Sequence, residues 1–213
     1  MALSGNPQVA TFAKMIPNFM SEDPTPNRSL PTGSEWLKGK LLVALPVVNG
    51  DEFFRTVILV LAHGPQGALG VVLNRPTEVA VAELFPDLAF ETAEPRVLFS
   101  GGPVEPDGII CLARGATGDE QPGFAPVLDT WGSIDPRQPP PGGVDAVRVY
   151  RGYAGWTVRQ LEGQIDRGSW LVLDARPGDL ATEEPEDMWK RVLEREGPRF
   201  ARIQKIPRDP SLN

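Results

Sequence analysis

Apolar residues in this chain gather into short runs, a pattern typical of β-strands rather than long helices. The run at 41–45 predicts a buried strand, and the β-branched run at 56–61 predicts a central strand covered on both faces. The next strand is expected at 68–74. Because only the short segment His63–Gly67 separates it from the run before, the two are predicted to form a hairpin. Pro76 is expected to end the third strand.

The middle of the chain is predicted to contain one short helix, several strands and a long loop. Residues 79–85 have the spacing of a short helix, and 97–99 and 108–113 read as strands. Residues 114–143 carry many glycines and prolines, so we expect a long loop there. From Val144 to Tyr150 valines alternate with Arg148 and Tyr150, which predicts a half-buried strand.

The segment after Tyr150 is predicted to leave its strand through a tight glycine turn, Gly152–Gly155, with Trp156 opening a helix. That helix would place Val158, Leu161 and Ile165 on one apolar stripe and end at Gly168. A strand at 170–173 follows. A last helix is predicted to have an apolar side formed by Met188, Trp189, Val192 and Leu193.

This order of elements predicts an α+β protein, because it shows neither regular βαβ alternation nor an internal repeat. Residues 1–34 combine prolines with Asn, Ser and Thr, and we interpret them as a flexible N-terminal extension. Residues 35–200 are expected to form a single domain. Residues 201–213 are expected to form a loose C-terminal tail.

Charge and cysteine content narrow the functional classes. The 213 residues carry a net charge of -7, which argues against direct DNA binding and against an anionic membrane surface. The single cysteine excludes an intrachain disulfide and fits the cytoplasm. Neither a secretory signal nor an apolar stretch long enough to span a bilayer is visible.

Strong catalytic signatures are missing from the sequence. His63 is the only histidine and has no metal-ligand partners at suitable spacing, so no metal and no cofactor are expected. Cys111 lies within an apolar run and reads as a core residue. The Gly101-Gly102 turn could offer backbone N–H groups to an anion, but it lacks the Lys-Ser/Thr ending of a phosphate loop.

The favoured hypothesis is a non-catalytic binding or regulatory domain with a protein or small-molecule partner. Its candidate binding surface assumes that several turns and strand ends converge in space: His63, Asn74, Gly101, Gly102, Gly152, Tyr153, Gly155 and Trp156. The alternative is an enzyme of unknown class that uses His63 beside the Gly101-Gly102 turn. A DNA-binding regulator ranks last, since no helix-turn-helix pattern is present.

Several ordered motifs together resemble the YqgE/AlgH family of bacterial proteins. They are Gly39–Ala44, Phe53–Ile58, Gly67–Pro76, Gly101–Val104 and Gly152–Trp156. The resemblance spans about residues 36–200. It implies an α+β fold with a mixed, bifurcated β-sheet that forms a pseudo-barrel decorated by a few helices. Some members are described as transcriptional regulators, but no settled activity, cofactor or catalytic residue comes with the family.

Overall fold

The computed structural model describes residues 37–46, 51–115 and 123–205. Ten β-strands dominate it: β1 Lys40–Ala44, β2 Val57–Gly64, β3 Gly67–Val72, β4 Pro76–Ala80, β5 Val97–Ser100, β6 Val104–Arg114, β7 Ala125–Leu128, β8 Trp131–Ile134, β9 Ala146–Trp156 and β10 Trp170–Asp174. The helices are short: α1 Val81–Leu84, α2 Gln160–Asp166, α3 Met188–Arg195 and α4 Pro198–Ala201. The predicted extension at 1–34 and the tail beyond residue 205 lie outside the described residues. Residues 201–205 belong to α4 and a 3-10 turn, Arg202–Lys205.

The sheet is mixed and bifurcated, as the resemblance implied. Its main path runs β10-β1-β2-β3-β9-β6-β8-β7, while β5 joins β4 to β9. The β5–β9 pairing is parallel, and the other strand pairings are antiparallel. The curled sheet forms the pseudo-barrel, and the few helices decorate it.

Strand β9 is the strand that both halves of the sheet share. One of its edges pairs with β6 from Ala146 to Tyr153. The other edge pairs with β5 at Tyr150 and Arg151 and then with β3 from Ala154 to Trp156. The sheet therefore divides at Gly152 and Tyr153, the two residues between the β5 and β3 pairings.

Three apolar clusters hold these layers together. The largest lies inside the curled sheet and includes the apolar side of α3, whose four predicted core residues, Met188, Trp189, Val192 and Leu193, are all buried. A second cluster packs Leu161 of α2 against β1, β2 and β3. A third packs Val81 and Leu88 against β5, β6 and β9. Because both sheet faces are covered, most strands are apolar on both sides.

Several predicted elements are confirmed, including the β2–β3 hairpin and the strand at 170–173. Residues 76–80, expected to lie after a strand end and in a helix, form β4 instead, and only 81–84 are helical. Pro76 is tolerated because β4 has a single strand neighbour, β5. The predicted loop at 114–143 contains the β7–β8 hairpin.

The predicted glycine turn at 152–155 is wrong. Those residues continue β9, and Trp156 ends that strand rather than opening a helix. Helix α2 begins at Gln160, after Arg159 adopts a left-handed conformation with φ 60°. Val158 therefore lies outside the apolar stripe and is exposed.

Candidate functional site

The glycines of the predicted surface lie where the sheet divides. The N–H of Gly101 donates to the carbonyl of Arg151 at 2.7 Å, and its own carbonyl accepts the N–H of Val72 at 2.9 Å. Gly101 thus joins the end of β5 to both β9 and β3. Its N–H is committed to this junction, so it does not serve the predicted anion site.

Close backbone contact explains why these positions are glycine. A Cβ on Gly152 would lie 2.4 Å from the carbonyl oxygen of Gly102, and one on Gly102 would lie 2.3 Å from the carbonyl carbon of Tyr153. Gly152 also has φ +69°, a conformation that glycine adopts without strain. Gly155 approaches the ring of Tyr153, where a Cβ would be 3.3 Å from Cε2. One contiguous group, which we call the sheet fork, consists of Gly101, Gly102, Gly152 and Tyr153. Gly155 lies beside it, against the ring of Tyr153.

His63 lies on a different part of the sheet, near the end of β2. Its side chain is only 3% exposed. Nδ1 accepts the N–H of Leu37 at 3.2 Å, so the ring proton is assigned to Nε2, which donates to Oε1 of Glu162 at 3.1 Å. The imidazole therefore ties the chain before β1 to helix α2.

The remaining predicted residues also make structural hydrogen bonds. The amide of Asn74 accepts the N–H of Val57 at 2.9 Å and donates to the carbonyl of Arg55 at 2.8 Å. The indole N–H of Trp156 donates to Oε1 of Gln164 at 2.9 Å. Trp156 pairs with Ala68, which in turn pairs with His63. The structure thus divides the predicted surface into three parts: the sheet fork with Gly155, Trp156 at the end of β9 with His63 two strands away on β2, and Asn74.

Arg148 is the residue that the sequence reading missed. It was expected on the solvent side of a half-buried strand, but it is only 1% exposed. Its Nε donates to the carbonyl of Leu180 at 3.1 Å, and Nη1 donates to the carbonyls of Ala93 and Pro95 at 3.1 and 2.9 Å. Nη2 donates to the carbonyls of Glu94 and Thr182.

The sequence around Arg148 contains a signal of its burial. Positions 146 and 150, which lie two residues before and after Arg148 on the same strand face, are Ala and Tyr. An arginine among apolar neighbours on one face indicates a buried cation that needs several partners. The guanidinium also lies 4.7 Å from the ring centroid of Phe99, a cation–π contact.

Burial changes the acid–base behaviour of this region. It lowers the pKa of Arg148 and raises the pKa of both Cys111 and Tyr150, because each charged form would lose its hydration. Burial also raises the pKa of Tyr153, and the charge of Glu105 and its hydrogen bond with the phenol add to that shift. Cys111 is therefore a protonated core residue, as expected, rather than a nucleophile.

The described residues contain neither a candidate metal-ion cluster nor a helix suited to crossing a membrane. Within the described ranges, no three His, Cys, Asp or Glu side chains stand close enough together to hold a metal ion. Among the residues that the structure describes, no helix combines the length and the apolar character that crossing a bilayer requires.

The bifurcated sheet, with its strands joined at a glycine-rich fork, defines an α+β pseudo-barrel protein. Residues 41–201 match the model of the AlgH-like family, so this chain belongs to that family. A UPF0301 protein of Streptomyces coelicolor is 42% identical over 184 residues, covering 83% of this chain and 95% of its own. A UPF0301 protein of Mycolicibacterium smegmatis is 38% identical over 200 residues, covering 91% and 98%.

Solved structures agree with this assignment. A crystal structure of a Corynebacterium diphtheriae protein superposes with a TM-score of 0.74 at 25% identity, covering 84% of this chain and 95% of that chain. The solution structure of AlgH from Pseudomonas aeruginosa gives a TM-score of 0.61 at 26% identity, covering 85% and 98%.

Proposed function

We propose that this chain is a non-catalytic binding domain of the cytoplasm whose partner is a protein. The observation that carries the proposal is an exposed apolar surface on one segment, Pro76–Thr92, which we call the acidic apolar segment. Phe90 is 89% exposed, Leu84 55% and Val79 37%. Of the four large apolar side chains exposed among the described residues, three fall on this one segment, and exposed apolar surface of this kind marks an interaction site.

The inner side of the acidic apolar segment is firmly held, which makes its outer side a defined surface. Val81 and Leu88 are fully buried in the third apolar cluster. The N–H of Val147 on β9 donates to the carbonyl of Glu91 at 2.7 Å. A surface fixed in this way loses little conformational entropy when a partner binds.

The charge around this surface specifies the partner's chemistry. The acidic apolar segment contains Glu78, Glu83, Asp87 and Glu91 and no lysine or arginine. Complementarity therefore favours a protein whose apolar contact residues are surrounded by Lys and Arg. The same negative charge disfavours DNA and anionic lipid as partners.

The contacts of the predicted surface support this non-catalytic reading. A general base at His63 would need a ring nitrogen facing a substrate, whereas Nδ1 accepts a backbone N–H and Nε2 faces Glu162. The glycines of the sheet fork make close backbone contacts rather than a cradle for a ligand. We infer that these residues maintain the sheet and that recognition occurs on the acidic apolar segment.

Site-specific photocrosslinking in the native host tests the proposal. A benzophenone amino acid is placed at position 90 and, in a matched control, at position 158, where an isolated valine is 58% exposed. We expect a discrete protein adduct from position 90 only. Mass spectrometry should identify a protein with a basic, apolar contact surface.

Binding of the purified partner then gives the quantitative test. Phe90→Glu should weaken binding about tenfold or more, because it removes an apolar anchor and sets a charge against the partner's apolar contact residues. Added salt should weaken the wild-type complex. An adduct with a second copy of this chain, equal adducts at both positions, or an acidic partner would each overturn the proposal.

A further inference from the structure

A cavity of about 290 Å³ lies between the 3-10 turn Pro177–Asp179 and helix α3. Its apolar lining comes from Met188 and Val192, both buried. Three arginines, Arg176, Arg191 and Arg195, also line it, with Asp179 as the single lining carboxylate. Apolar surface combined with a few convergent charged groups is typical of small-molecule sites, and this volume is near their lower limit.

Asp179 is already neutralised within the protein. Nη1 of Arg195 donates to both of its carboxylate oxygens, at 2.8 and 3.0 Å. The backbone N–H of Arg176 donates to one of the same oxygens at 2.8 Å. The only negative charge in the lining is therefore compensated. Because Arg195 is paired with Asp179 and Arg191 with Glu184, the exposed Arg176 supplies the charge that a ligand would meet.

Arg195 retains an unused donor. Its Nη2 donates to the carbonyl of Asp174 at 2.9 Å, but its Nε is buried and makes no hydrogen bond to any described residue. The nearest carboxylate oxygen paired with it, Oε1 of Glu196, is 3.6 Å away. This nitrogen is closed off from solvent, so its missing acceptor is a cost of the fold, and a ligand in the cavity does not contact it.

Arg191 is held in place beside the cavity. Its Nη1 donates to Oε2 of Glu184 at 2.8 Å, and Nη2 donates to the carbonyl of Glu184 and to the hydroxyl of Thr182. The carbonyl of Thr182 is in turn bound by the buried Arg148. The cavity wall is thus fixed to the central strand β9, which reduces the entropy lost on ligand binding.

We propose that this cavity, the arginine cavity, binds a small organic anion with a carboxylate or phosphate head group and a short apolar body. The guanidinium fork of Arg176 matches the geometry of both head groups. The apolar body would lie against the wall that Met188 and Val192 help to form. This inference is independent of the proposed protein partner, because it rests on residues 176–195 and not on the acidic apolar segment.

Titrations of the full chain followed by ¹H–¹⁵N correlation spectra test the inference. The probes are isocaproate, isobutyl phosphate and the uncharged isocaproamide. We expect saturable shifts within residues 176–195 for the anions, with dissociation constants on the order of millimolar or below, and weaker binding of the amide. Comparing the two anions distinguishes a carboxylate from a phosphate ligand.

Arg176→Gln should weaken anion binding about tenfold, because it removes the exposed guanidinium of the cavity lining. Arg167→Gln is the matched control, since Arg167 is likewise exposed and lies outside the cavity lining. Arg176→Lys should recover part of the affinity by restoring the charge. Equal binding of the amide, shifts outside residues 176–195, or loss of binding in Arg167→Gln as large as in Arg176→Gln would overturn the inference.

Discussion

Arg148 shows how a single buried charge can organise distant parts of the chain. Its guanidinium joins residues 93–95 and residues 180–182 to strand β9 through backbone carbonyls alone. Carbonyl dipoles directed at the cation replace the water that burial removes. A planar fork with five N–H donors suits this task, whereas a lysine ammonium does not.

Replacing Arg148 should therefore be costly. We expect Arg148→Met to lower the free energy of unfolding by about 3 kcal/mol or more, because buried carbonyls on two segments would lose charge-assisted hydrogen bonds. Urea denaturation followed by circular dichroism measures the change. Arg148→Lys should recover only a small part of the loss.

Arg114 on the adjacent strand β6 provides the control. It forms an ion pair with Asp145 at 2.7 Å, but its side chain is 38% exposed. Arg114→Met should therefore change stability by less than about 1 kcal/mol. If both variants were equally stable, the carbonyl cluster around Arg148 would have no special role.

At the scale of the elements, β9 pairs with β5 and then with β3 along one edge, and Gly152 lies between the two pairings. We expect Gly152→Ala to be far more destabilising than Gly168→Ala. The two glycines have nearly the same backbone angle, with φ +69° and +73°, but only Gly152 has backbone in the space of an added Cβ. Gly168→Ala should cost about 1 kcal/mol from the left-handed conformation alone.

Thermal or urea unfolding of the two variants measures this difference. The collision at 2.4 Å with the carbonyl of Gly102 should raise the cost of Gly152→Ala to several times that of Gly168→Ala. Equal losses would mean that the sheet fork relaxes freely around an added methyl group.

Sequence reasoning found the elements whose apolar pattern is continuous. Strands β2 and β3 were predictable because they are continuous apolar runs, and α3 was predictable because its apolar residues recur at helical spacing. The β7–β8 hairpin was missed because surrounding glycines and prolines hid a two-residue turn at Asp129 and Thr130. Asp129 has φ +48°, which that turn requires.

The glycines at 152 and 155 were misread for a related reason. Glycine serves both tight turns and close backbone approach within a sheet, and a single sequence does not separate the two uses. The candidate site shows the same limit. The partners of His63 and Asn74 come from segments far along the chain, so only the folded structure shows that both side chains are engaged.

For the whole molecule, the two tyrosines predict how stability depends on high pH. Tyr150 and Tyr153 are the only tyrosines in the chain, and the pKa of each is raised above its ordinary value of about 10. Above that pH the unfolded chain loses phenolic protons that the folded chain keeps. The folded state then binds more protons, so stability falls as pH rises.

Phenolate absorbance and circular dichroism, recorded together during an alkaline titration, check this expectation. Ionisation of Tyr150 should coincide with unfolding, since its side chain is fully buried in the folded state. In Tyr153→Phe the absorbance change should fall by about half, because one of two phenols remains. Full ionisation near pH 10 with an unchanged native spectrum would contradict the prediction.

The position of β9 along the chain has a consequence for biosynthesis. Strands β3, β5 and β6 all leave the ribosome before β9, a strand with which each of them pairs. The β2–β3 hairpin and the β6–β8 pair can form early. No strand joins β3 to β6 in the sheet until β9 emerges. Such distant pairings slow folding and leave apolar strand edges open to other chains. A nascent chain stopped before residue 146 is therefore the form of this protein that most needs a chaperone.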